Sequence, residues 1–191
     1  DNVALLKRMV QRQDDLLDSA EDMEGVEMFF KAQRTVFDDA KKRLASILKE
    51  RDYFAADADT LNVISTMSTI LAMPKPYSRI GELPELVQKV KTAYDSLLDM
   101  KREEVAENIR QCMQDVHQLA SEARDAGALL RQADDHFVNK REAAKTATSL
   151  TELDAMITQL LNYKDTICRR MEVMSASRQQ EAQKPAPAAT A

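Results

Sequence analysis

At 191 residues the chain has room for one large helical domain or two small ones. Three glycines and five prolines are too few for a β-rich or loop-rich fold, and two of the prolines fall in the last ten residues. The formal net charge of −5 argues against a nucleic-acid partner, because binding phosphates calls for a cationic surface.

Apolar residues make up 44% and charged residues 31%, a mixture suited to amphipathic helices with solvated outer faces. Aromatics are 5% with no Trp, so a core would be built from Leu, Val, Ile, Met and Ala. Cys112 and Cys168 are too few and too dispersed for a disulfide framework, and the simplest setting is a reducing cytoplasm. No basic-then-apolar segment opens the chain, and the longest uncharged run, Thr60 to Pro74, is too short for a bilayer. The first residue is Asp1 rather than Met, from which excision from a longer chain, or processing, is expected.

The first predicted helix carries Val3, Leu6, Val10, Leu17 and Ala20 at steps of three and four, and the second Val26, Phe30, Phe37, Ala40, Leu44 and Ile47. Continuing the first stripe lands on Glu24 and Glu27, about 200° of rotation from Val26. A turn or kink near Gly25 is expected to repair the mismatch. A third helix follows "FAADADT", with Asp57 or Asp59 as N-cap, and "MPKP" stops it. Its stripe is Val63, Ile64, Met67, Ile70 and Leu71. Asn62, Ser65, Thr66 and Thr69 lie opposite, a face without charge. Such a helix is expected either to be buried on both sides or to meet a partner, which makes these four the candidate interface.

The longest pattern runs from Leu83 through Val87, Val90, Tyr94, Leu98, Lys101, Val105, Ile109, Cys112, Val116 and Leu119 to Ala123. Its mean step of about 3.6 residues is the pitch of a straight helix. Gly127 is the natural interruption before a weaker stripe of Leu130, Ala133, Phe137 and Ala144, which leaves open whether the 82–147 region is one helix or two. Ser149-Leu-Thr-Glu152 matches a capping box, opening a last helix with Leu153, Ile157, Leu160, Lys164, Ile167, Met171 and Met174. The expected fold is all-α: an elongated antiparallel helical bundle or paired long helical hairpins with coiled-coil character. Its domains would be a helical module over 1–180 and an Ala/Pro-rich linker over 181–191, leading to a further domain.

Candidate chemistry is sparse. On a helix, Cys168 has Lys164, Asp165, Met171 and Glu172 as neighbours, a net charge of −1, while Arg169 and Arg170 point away. A buried, inert thiol is expected rather than a charge-activated one. Cys112 lies on the apolar stripe and diverges from His117 by about 140°, so the two cannot share a metal. His136 and its neighbours Asp134 and Asp135 fan around the helix, and no metal site is expected. "DADTLN" at 57–62 fails as a calcium loop, with Leu61 where a ligand and Asn62 where a glycine is needed. Asp14, Asp18 and Asp22 share a face, read as solvated surface or as a docking strip for a basic partner. No phosphate loop, G-x-S-x-G or H-E-x-x-H is present, so no catalytic, cofactor-binding or metal residue is assigned.

The segments "KREEVAENIRQCMQDVHQLA", "LDAMITQLLNYKDTICRRMEVM" and "KPAPAATA" resemble the helical region late in the chain of BREX phage-defence P-loop ATPases, the BrxC or PglY family. The likeness extends over most of residues 1–180. It implies a bacterial cytoplasmic AAA-like ATPase acting beside methyltransferase and phosphatase-like components to restrict phage DNA. The nucleotide-binding motif lies outside this sequence, so no catalytic residue carries over and ATP belongs to the parent protein. The resemblance makes the chain a non-catalytic interaction or assembly module. Its partners would be other BREX components or a second copy, with no nucleic acid and no membrane. The alternatives are a cytoplasmic coiled-coil adaptor unrelated to phage defence and, third, an autonomous helical enzyme or DNA-binding domain.

Overall fold

The computed structural model describes residues 2–74, 78–123 and 125–182, apart from the side chains at 2, 5, 6, 10, 13–26, 29, 178 and 181. The fold is all-α. Five helices, α1 (Asn2–Leu48), α2 (Ala58–Leu71), α3 (Leu83–Glu122), α4 (Gly127–Thr146) and α5 (Leu150–Ala182), are accompanied by short 3-10 turns at Arg51–Phe54 and Ile80–Glu82. No strand occurs among the described residues. Two compact units divide the chain, residues 1–93 and 94–191. The division falls inside α3, and residues 183–191, most of the anticipated linker, lie outside the described residues.

α1 corrects one expectation. The helix passes through Gly25 unbroken, so the anticipated turn is absent. The reason is a second apolar register, with alternating steps of four and three. It reads Leu5, Met9, Arg12, Leu16, Ser19, Met23, Val26, Phe30, Gln33, Phe37, Ala40, Leu44 and Ile47, and it crosses Gly25 without a change of phase. Among the described residues only the end of this register, at Ala40, Leu44 and Ile47, is buried; Val3 of the other stripe is 67% exposed and Met9 of this one 61%. The packed end of this register, Ala40, Leu44 and Ile47, is buried where α1 packs on α2 and on the second 3-10 turn, and the first unit also buries Phe54, Ile64, Met67, Ile70, Ile80, Leu83 and Val90.

Asp57 opens α2. Its Oδ1 accepts the Thr60 N–H at 3.0 Å and its Oδ2 the Thr60 hydroxyl at 2.5 Å. These bonds hold the Asp57 carboxyl below the usual carboxylate range, the Thr60 hydroxyl contributing most. The aspartates of "DADTLN" are therefore helix-start residues, with Asp57 as the cap and Asp59 in the first turn.

The second unit is three helices whose register can be read from pairs. His117 meets Asp134 and Arg102 meets Ala147, so α3 and α4 run antiparallel. Lys140 bonds Gln159 and Tyr163 bonds Gln132, so α4 and α5 do too. Lys101 meets Asp154 and Lys164 meets Asp115, which sets α3 and α5 parallel. The α3–α4 break lies just before Gly127: Asp125 takes the left-handed backbone (φ 61°), a conformation aspartate tolerates better than most residues. Its core holds Leu98, Val105, Ile109, Cys112 and Val116 of α3, Ala133 and Phe137 of α4, and Leu150, Leu153, Leu160, Ile167 and Met171 of α5. Fully burying such a side chain contributes about 1.5–3 kcal/mol before entropy is counted.

Candidate interaction faces

In the first unit, α2 turns Ile64, Met67 and Ile70 inward and leaves Asn62, Ser65 and Thr69 exposed, with Thr66 half-buried. Of the two expectations for this face, burial from both sides is not met in this chain, where Asn62, Ser65 and Thr69 are open. Thr66 donates to the Asn62 carbonyl at 2.9 Å and Thr69 to the Ser65 carbonyl at 3.0 Å, so both hydroxyls are satisfied within the helix. The four residues form one uncharged, solvent-facing strip.

On α1, none of the described residues before Ala40 is buried. Met9 is 61% exposed, Met28 68% and Phe30 51%. Phe30, Gln33 and Phe37 border a depression of about 860 Å³ that also touches Ile80. The Gln33 Oε1 is buried there without a hydrogen-bond partner. Phe30 and Phe37 stand on the stripe expected of the second helix, and spacing alone does not tell that Phe30 is left half-exposed while Ala40, Leu44 and Ile47 are buried. Asp14, Asp18 and Asp22 have side chains outside the described residues.

In the second unit, the two cations that interrupt apolar stripes reach carboxylates on a neighbouring helix. Lys101 contacts Glu104 at 2.9 Å and Asp154 at 3.1 Å, and Lys164 lies 3.5 Å from Asp115. The bond to Glu104, with Asp154 adding to it, pushes the Lys101 ammonium up. The α4–α5 junction is held by α3: Arg102 donates to the Ala147 carbonyl at 2.8 Å, and the Tyr94 hydroxyl bridges Thr148 and Leu150. Ser149 caps α5 as half of the expected box, accepting the Glu152 N–H at 3.3 Å.

Neither cysteine is set up as a nucleophile. Cys112 is buried and Cys168 half-buried; burial pushes both thiols up, with Lys164 opposing weakly. Arg169 and Arg170 are exposed, as the helical phase requires, and border a smaller apolar depression of about 390 Å³ with Leu129, Val173 and Met174. His117 faces Asp134 at 2.8 Å rather than Cys112. Among the described residues no three His, Cys, Asp or Glu side chains group as metal ligands, and no helix is long and apolar enough to cross a membrane.

Comparison with known proteins adds one finding. No solved structure matches the chain. Residues 1–51, which are α1 and its exit, match the family model described as the BREX ATP-binding protein BrxC alpha helical domain. The matched stretch is thus the helix with exposed apolar side chains, not the 101–120 and 153–174 segments that first suggested the likeness. The chain carries a BrxC-like BREX helical region, which associates it with BREX phage defence.

Proposed function

We propose that the chain is a non-catalytic helical interaction or assembly module of a BREX-type anti-phage P-loop ATPase. It acts in the cytoplasm, and ATP is handled elsewhere in the parent protein. The observation that carries the reading is the match over residues 1–51 coinciding with a helix whose apolar side chains face outward. The uncharged strip of Asn62, Ser65, Thr66 and Thr69 supplies a second surface, suited to close approach of another helix or of a second copy. An adaptor unrelated to phage defence is the weaker reading because it leaves the match without a cause. Affinity capture with the chain from cells carrying a BREX system tests the proposal. Recovery of BREX components, in amounts that addition or removal of ATP leaves unchanged, is the expected result. Recovery of none of them, or saturable micromolar ATP binding by the chain itself in calorimetry, overturns it.

A further inference from the structure

Val173 of α5 is 64% exposed and stands with Leu129 of α4 and with Met174 around the depression of about 390 Å³, while Arg169 and Arg170 form its cationic edge. Apolar side chains rimmed by charge mark an interaction surface. Arg170 is the better placed of the two cations. Its neighbours three and four residues away are Thr166, Ile167, Val173 and Met174, none of them acidic. Arg169 has Asp165 and Glu172 within a turn, but among the described residues no ion pair joins it to either. Glu172 instead borders another depression, with Leu119 and Glu122 on the α3 side. Elsewhere in the second unit, Lys101, Arg102, Arg110, Lys145 and Lys164 each lie against a carboxylate. Arg169 and Arg170 are exposed and have no such partner among the described residues.

We propose that this depression is the docking site for an acidic amphipathic helix of another protein. It is a surface separate from those on α1 and α2, and it rests on the interaction-module reading. The occupant follows from the two kinds of group that line it. A Leu or Phe of the partner enters between Leu129 and Val173, and an Asp or Glu one turn away meets the Arg170 guanidinium, whose planar fork matches a carboxylate. α4 and α5 run antiparallel, and the groove between two such helices receives the apolar ridge of a third. Nucleic acid would supply the anion but nothing to fill the apolar lining, and the net charge of −5 repels a long polyanion. A second copy using the same face fits poorly as well, because a two-fold pair sets one arginine rim against the other.

The test uses the full 191-residue chain and two labelled helical peptides of about four heptads, identical except for Glu or Lys at the positions flanking a Leu seam. Anisotropy at physiological salt is expected to give roughly tenfold or greater preference for the Glu peptide. The direction matters, because the net charge of −5 by itself favours the Lys peptide. Arg170→Gln is expected to erase that preference. Val173→Lys is expected to weaken binding of the Glu peptide roughly tenfold without lowering the melting temperature, since Val173 is mostly exposed. Here too the direction decides, because the added cation alone would tighten binding. Equal binding of the two peptides, preference for Lys, or a preference that survives Arg170→Gln overturns the proposal. Unchanged or tighter binding in Val173→Lys does so as well, by removing the apolar anchor. A dimer in sedimentation equilibrium that Val173→Lys dissociates makes the occupant a second copy, and displacement of the Glu peptide by duplex DNA makes it nucleic acid; either result overturns it. BREX components retained by Val173→Lys move the interaction to another surface and leave the module reading standing. Peptide discrimination without capture of any BREX component does the reverse.

Discussion

The imidazole of His136 lies flat on the phenol ring of Tyr163, with centroids 3.6 Å apart and planes 13° from parallel. Phe137 meets both rings edge-on, and the Tyr163 hydroxyl donates to the Gln132 carbonyl at 3.3 Å. Burial, with nearby Lys140 adding to it, holds His136 below the ordinary histidine range. The folded state therefore binds fewer protons here than the unfolded one. Stability from this site is complete above the unfolded value near ~6.5 and is lost as pH falls through it toward the folded value. Thermal melts between about pH 5 and 7 should show a smaller loss in His136→Phe than in the wild type. Parallel pH profiles for the two would remove His136 as the cause.

Tyr94 works across 54 residues of sequence. Its hydroxyl donates to the Thr148 carbonyl at 3.1 Å and accepts the Leu150 N–H at 3.3 Å, tying α3 to the first turn of α5. Tyr94→Phe keeps the ring and deletes the bridge, and should cost about 1 kcal/mol in urea unfolding. Ser149→Ala removes the adjacent cap at a similar cost of about 1 kcal/mol. A silent Tyr94→Phe would mean that water replaces the hydroxyl.

How far the sequence disclosed this arrangement depends on the kind of signal. The stripes of α3 and α5 are legible because each is a repeated local spacing: Leu83, Val90, Leu98, Val105 and Ile109 are all buried where the spacing puts them. Asp57 and Ser149 were readable as caps for the same reason, since the groups they satisfy lie three residues away. Gly25 misled because two apolar registers coexist in the first half of α1, and only the one through Met9 stays in phase with Phe37 and Leu44. His136 on Tyr163, or Lys101 on Asp154, joins residues on separate helices, and a periodic pattern carries no record of such pairings. The outward strip on α2 was visible as a face without charge. What covers that face was not, because spacing places a residue on one side of a helix and says nothing of what stands opposite.

The thiols should separate by accessibility. Cys112 is buried and Cys168 half-buried, and burial raises both pKa values, so little thiolate exists at neutral pH. A neutral disulfide reagent should label native Cys168 before Cys112, with both roughly tenfold or more slower than in denatured protein. Fast labelling of native Cys168 would restore the idea of an activated thiol beside Arg169.

Leu160 and Arg170 test the phase of α5. Leu160 is fully buried and Arg170 exposed. Leu160→Asp places a charge in the core of the second unit and should cost at least ~3 kcal/mol, while Arg170→Ala should stay within about 0.5 kcal/mol of wild type. Similar losses from both would shift the helix by about 100°.

The strip on α2 can be tested by charge alone. Ser65 and Thr69 are exposed one turn apart, and the Thr69 hydroxyl bonds only its own helix backbone in the Ser65 carbonyl direction. Lysine has good helix propensity and its long stem reaches water from either position. In the isolated chain, Ser65→Lys with Thr69→Lys should therefore change stability by no more than about 0.5 kcal/mol. If the strip is an interface, the same pair of substitutions forces two ammonium groups into a surface that bears no charge, and desolvating them should weaken association by roughly a hundredfold. Melting temperature and association are thus expected to part company: the first unchanged, the second lost. A large drop in melting temperature would show that the face is packed within the chain. Unchanged association with captured components or with a second copy would assign contact to another surface, leaving α2 with an outer face that merely lacks charge.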